Sequence, residues 1–208
     1  MTPYEYIKKE IILCNKLPGE VFDEGMVAKA LNVSRTPVRE AVLKLQAEGY
    51  LTIIPRKGTL VSNISINDIK EVYEYRIMLE GEIMKKIAQN SDSLLLLKWK
   101  KYFEALLNED YSNLELPVEK DELDDVDKLF HLSLADILNN KLIKKELTHL
   151  MDLSARIRFL TNASNKDRYI KSLNEHISII NALLNHDGKE ASKKMKEQLN
   201  NSLEGYKK

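Results

Sequence analysis

Asp127 and His131 stand four residues apart, the spacing that sets two side chains one above the other on a helix face. They share that face with Leu123, Val126, Phe130 and Leu134, so both point inward. His176 lies with Leu173, Ile177 and Ile180 on another inward stripe. One carboxylate and two imidazoles turned inward suit a divalent cation such as zinc, nickel, manganese or iron. The same residues would also serve as a buried ion pair and a satisfied core histidine. Arg76 and Glu80 fall on the apolar face of Ile69, Tyr73, Ile83 and Ile87. There Arg76 could grip a carboxylate through two parallel hydrogen bonds, or pair with Glu80 one turn away. Gln198 faces inward beside Met195, Leu199 and Ser202. A second set of polar residues points the other way. Arg35, Thr36, Arg39 and Lys44 stand off the Val38, Val42 and Leu45 face of a short helix, free to meet phosphates or base edges. Residues 34–59 carry five basic side chains against two acidic, in a chain whose net charge is zero. Arg56, Lys57 and Gly58 form the tip of a hairpin that suits a DNA backbone or minor groove.

The elements that must hold these residues change in texture near residue 63. Before it, a stripe of Tyr4, Ile7, Ile11 and Ile12 marks a first helix, interrupted at Leu17-Pro18-Gly19. A second short helix runs from Asp23, its cap, to Leu31, with Val27, Ala30 and Leu31 inward. A third opens at Ser34-Arg35-Thr36-Pro37, where Ser34 or Thr36 can cap it and Pro37 fits a first turn. Two β-like pieces, 51–54 and 59–62, flank the turn at 55–58. This is the element order of a winged helix-turn-helix. After residue 64, six segments near 66–89, 91–108, 117–139, 141–161, 166–186 and 189–206 each carry an apolar stripe of helical period. The expected fold is mainly α: a winged helix-turn-helix of three helices plus a hairpin wing over 1–63, then an all-α bundle of six or seven helices over 64–208.

Composition agrees. The chain is 43% apolar and 31% charged, with 7 glycines and 5 prolines, which favours long helices over a turn-rich β fold. The single cysteine, Cys14, leaves no disulfide framework and reads as a small apolar residue in a reducing compartment. The longest aliphatic run, Leu94 to Leu97, is too short to span a membrane, and the N-terminus lacks a signal-peptide core. The expectation is a cytoplasmic protein with no membrane partner.

The strings Leu17-Pro18-Gly19-Glu20, Val33-Ser34-Arg35-Thr36-Pro37-Val38-Arg39-Glu40-Ala41-Val42 and Glu48-Gly49-Tyr50-Leu51 resemble the GntR family of bacterial transcriptional regulators. The resemblance implies that Arg35, Thr36 and Arg39 contact DNA, with Gly58 at the wing. It also implies a basic contact residue where this chain has Gly25. The backbone N–H groups at Glu24-Gly25 could still meet a phosphate. Further on, Asp127-Lys128-Leu129-Phe130-His131 with Asn140, and Glu175-His176 with Asp187, resemble the FCD ligand-binding domain of the FadR-type subfamily. In metal-binding members of that subfamily the ligands are one Asp and three His. Three of them map to Asp127, His131 and His176, and the fourth position holds Gln198. An amide oxygen is a poorer transition-metal ligand than an imidazole.

Together these readings describe a DNA-binding regulator, a repressor by expectation and not an enzyme. It would bind a palindromic operator on double-stranded DNA as a homodimer. The resemblance implies that operator affinity responds to a small organic acid held at a divalent ion and by an arginine, for which Arg76 is the candidate. The alternative is a metal-dependent hydrolase built on Asp127, His131 and His176. That reading supplies no general acid, base or partnered nucleophile and gives the winged helix no role.

Overall fold

A computed structural model describes residues 1–90, 93–112, 114–120, 125–161 and 166–206. The chain divides into two compact units: residues 1–65 with 155–161, and residues 66–154 with 162–208.

In the first unit, α1 (Pro3–Ile12) starts from a capping box in which Thr2 and Glu5 satisfy each other's backbone N–H groups, with Pro3 in the first turn. It buries Ile7, Ile11 and Ile12. Asp23 caps α2 (Glu24–Leu31), its Oδ1 accepting from the N–H groups of Gly25 at 2.7 Å and Met26 at 3.2 Å. Val27 and Ala28 turn inward there, whereas Ala30, expected inside, is exposed. Asn32 ends α2 in the left-handed region at φ 53°, making the tight turn into α3 (Arg35–Ala47). Ser34 occupies the N-cap of α3 without a side-chain bond to it, and Val38, Ala41, Val42 and Leu45 form its buried face. The wing is the antiparallel pair β2 (Leu51–Ile54) and β3 (Gly58–Val61), with Leu51 opposite Val61 and Ile54 opposite Gly58. A third strand, β1 (Val21–Phe22), pairs with the far edge of β3, giving the order β1-β3-β2. Two residues are too few to show an alternating pattern, so β1 escapes the sequence reading.

Among the described residues, the second unit holds six helices, the last turns of one of them belonging to the first unit. They are α4 (Ile66–Ile87), α5 (Ser93–Leu107), α6 (Val126–Asp136), α7 (Lys141–Thr161), α8 (Lys166–Leu184) and α9 (Gly188–Glu204). α9 packs on α4 and α8, and α8 also packs on α5. Trp99, Phe103 and Phe130 form an aromatic centre, with ring centroids 5.2–5.6 Å apart. Trp99 donates its indole N–H to Ser133 Oγ at 2.9 Å. One expected boundary moves. The helix expected over 117–139 begins only at Val126, because Asp125 is an extended N-cap whose carboxylate takes the Lys128 N–H at 2.7 Å. Residues 114–120 are not helical, and 121–124 lie outside the described residues. Among the described residues no helix is long and apolar enough to cross a membrane.

Candidate functional site

Two sites emerge, one in each unit. In the first, the start of α3, the start of α2 and the wing enclose an open groove of about 520 Å³, lined by Arg35, Arg39, Arg56 and Gly58 among others. The Arg39 side chain is 67% exposed, and Nη1 lies 3.7 Å from Glu24 Oε1, a loose pairing in water. Arg35 reaches over Gly25: a Cβ added there would stand 3.5 Å from Arg35 Nη2 and 3.0 Å from Asp23 Oδ1. The tight neighbour is the Asp23 capping carboxylate, whereas the arginine would be in ordinary contact. At the wing tip Arg56 adopts φ 65° and Gly58 φ 96°, so any side chain at 58 would strain the turn. Thr36 and Lys57 are exposed outside the groove lining. Lys44 is exposed too, but its ammonium folds back to 3.7 Å from the ring centroid of Tyr4 on α1. Glu24 and Gly25 line the groove, and so does Asp23, which the sequence reading gave only a capping role.

In the second unit a chain of buried polar contacts starts on α4. Arg76 Nε donates to Glu80 Oε1 at 2.7 Å, and Nη1 donates to Ser154 Oγ on α7 at 3.2 Å. The other Glu80 oxygen is hydrogen-bonded to His131 Nδ1 on α6. Beyond it, His131 Nε2 lies 3.6 Å from Asp127 Oδ1, and His176 Nε2 lies 3.4 Å from the same oxygen. One donor atom from each of Asp127, His131 and His176 falls within 4.8 Å of the others. The His176 ring stacks on Phe103 at 4.9 Å between centroids, which fixes its plane. Beside the cluster, Lys128 and Asp152 form a buried ion pair at 2.8 Å that ties α6 to α7.

Electrostatics separate the two histidines. Burial pulls His131 down, but the carboxylates of Glu80 and Asp127 outweigh it and push the imidazole up to about 9. Burial holds His176 below the usual histidine range, with neighbouring His131 adding to it, and Asp127 and Glu175 only partly oppose the shift. Glu80 would be raised by its burial, yet Arg76 and His131 together keep it below the ordinary carboxylate range.

The residues fit a divalent ion. His131 Nε2, both ring nitrogens of His176 and Gln198 Oε1 are buried without a hydrogen-bond partner among the described residues. His176 Nε2 has only the 3.4 Å approach to Asp127, and Nδ1 has no hydrogen-bond partner among the described residues, which a satisfied core histidine would have. Glu80 on His131 Nδ1 holds the ring as a carboxylate would orient a ligating imidazole, with Nε2 on the far side. The 3.4 and 3.6 Å separations also approach the roughly 3.3 Å between ligand atoms around a tetrahedral ion with bonds of about 2.0–2.1 Å. Arg76 pairs with Glu80, and its buried Nη2 has no hydrogen-bond partner among the described residues. Ser154, which the sequence reading passed over, gives only a weak signal: a small hydroxyl on an amphipathic helix.

A winged helix with arginines at its groove, joined to a helical unit with a buried polar cluster, is the architecture of a two-part DNA-binding regulator. The profile of bacterial regulatory proteins of the gntR family matches residues 3–61, and that of the FCD domain matches residues 71–201. The chain belongs to the GntR family of transcriptional regulators and carries an FCD domain. It is 30% identical to the uncharacterized HTH-type transcriptional regulator YdhC of Bacillus subtilis over 91% of this chain and 82% of that protein. It is 26% identical to the HTH-type transcriptional repressor RspR of Escherichia coli over 94% of this chain and 83% of that one. The solved structure of E. coli McbR/YncC superposes with a TM-score of 0.76 at 19% identity, covering 99% of this chain and 95% of that one, which shows the fold. Both matching families are those of regulators rather than enzymes, so the hydrolase alternative has no support.

Proposed function

We propose that the protein is an operator-specific repressor that binds DNA as a homodimer and answers to a small organic acid. Residues 1–63 carry the DNA interface and 64–208 the effector site and the dimer contact. Arg35, Thr36 and Arg39 read base edges and phosphates in the major groove, while Arg56, Lys57 and Gly58 follow the backbone or minor groove. Lys44 contributes least, because Tyr4 already engages its ammonium. The observation that carries the DNA reading is the solvent-facing groove of Arg35, Arg39 and Arg56. The name of the RspR relative supports the repressor sign. One winged helix per chain reads a half-site, and a two-fold pair reads a palindrome.

The effector site rests on the buried Nη2 of Arg76 beside the Asp127, His131 and His176 cluster. Arg76 anchors one carboxylate of the ligand. Asp127, His131 and His176 hold one divalent ion among zinc, nickel, manganese and iron. An ion held there would supply Lewis acidity toward an anionic ligand. Regulation then requires the ligand to favour one arrangement of the DNA-binding units over another. The test is operator affinity measured with a panel of small carboxylates, before and after treatment with a chelator. One acid should weaken operator binding in the wild type and have no effect on Arg76→Ala or chelated protein. An acid response that survives both treatments would place the effector elsewhere.

A further inference from the structure

We propose that Gln198 selects the ion held by the cluster, offering its side-chain carbonyl as an oxygen donor beside Asp127, His131 and His176. The proposal rests on the metal reading above and adds to it the residue that sets ion preference. Gln198 is 3% exposed, and its Oε1 has no hydrogen-bond partner among the described residues. A buried carbonyl oxygen left without a donor is unfavourable, so an occupant that satisfies it is expected.

The neighbours of Gln198 set its level along α9 against the residues flanking the cluster. Two residues before it, the Lys196 side chain lies so close to Gly81 that a Cβ there would collide with Lys196 Cε. Gly81 directly follows Glu80, the partner of His131. Three residues after it, Asn201 Nδ2 donates to Glu175 Oε1 at 2.7 Å, and Glu175 directly precedes His176. α9 therefore runs from the level of Glu80 to the level of His176, and Gln198 lies between these two contacts. Its inward face is set by Met195 and Leu199, both fully buried.

The donor types decide the preference. Asp127 and Gln198 offer oxygen, and His131 and His176 offer nitrogen. Carboxylate and carbonyl oxygens suit manganese-like ions, whereas imidazole suits zinc. Replacing the amide by a third imidazole should therefore strengthen zinc far more than manganese.

The test is equilibrium competition of metal-free, full-length protein for Zn²⁺ and Mn²⁺ against a chromophoric chelator, with metal-free melting temperatures as the control for folding. The expected result for Gln198→His is a gain in zinc affinity of about tenfold or more, with manganese changing much less. Gln198→Leu should weaken manganese by about tenfold. If the wild type binds either ion and Gln198→His moves neither, or moves both equally, the role of Gln198 is overturned while the metal site stands. If the wild type binds neither ion, the metal reading itself is wrong and this proposal falls with it. Should Gln198→Leu not fold, Gln198→His alone decides.

Discussion

Arg39 and Arg76 carry the same guanidinium in opposite surroundings. Arg39 stands 67% exposed with a loose partner 3.7 Å away, in a unit whose groove collects two more arginines. Arg76 is 2% exposed, bound to Glu80 at 2.7 Å and linked through it to His131. An exposed cation needs no partner in the free protein, because water solvates it, and it exchanges that water for phosphate on binding. A buried cation is stable only inside a completed network, and the network then orients every member. One unit presents its arginines to solvent, and the other encloses its arginine in a polar network. Arg156 departs from this division. It is buried in the first unit with its guanidinium donating to Ser62 O at 2.5 Å, and burial lowers its pKa.

The largest effect expected from this contrast is on stability in the buried network. Glu80→Ala leaves Arg76 and His131 without their common carboxylate and should cost about 3–5 kcal/mol by urea denaturation. A loss below about 1 kcal/mol would mean the network relaxes freely and the contrast is false. In the exposed unit the reverse pattern should hold. Arg39→Ala should weaken specific operator binding roughly 10–100-fold while changing stability by no more than about 0.5 kcal/mol. Normal operator binding by this variant would remove α3 from the recognition role.

Proton linkage sharpens the contrast further. His131 titrates near 9 in the metal-free fold, above its unfolded value of about 6.5. The stability it contributes is therefore complete below about pH 6.5 and is lost as pH rises toward 9. Melting temperature of the chelated protein should fall across that interval, and the fall should vanish in His131→Gln. The smallest effect belongs to Lys44→Ala. Its loss should cost about 0.5–1 kcal/mol of cation–π contact with Tyr4 and change operator affinity only a few-fold. A large loss of DNA binding would show that Lys44 leaves Tyr4 for the duplex.

Local signals made both units legible. The Ser34 to Val42 string, the i,i+4 pairs Arg76/Glu80 and Asp127/His131, and the inward stripe of His176 all lie within single helices. What was hidden depends on partners far away in sequence. Lys44 turns to Tyr4, forty residues earlier, and Arg76 finds Ser154 seventy-eight residues later. The late start of α6 depends on the Asp125 cap rather than on the apolar stripe. Whether His131 is an ion-pair partner or a metal ligand could not be read from spacing. The structure shows the Glu80 partner on Nδ1, fifty-one residues away in sequence, and an Nε2 without a hydrogen bond among the described residues, neither of which spacing reveals.

The most direct test of the central claim is selection of duplexes from a randomised pool by the wild-type protein at about 0.15 M salt, repeated with Arg39→Ala. The wild type should enrich a short sequence with two-fold symmetry, and the variant should enrich none. Equal enrichment by both proteins, or no enriched sequence with the wild type, would contradict a DNA-reading role for the arginines of α3.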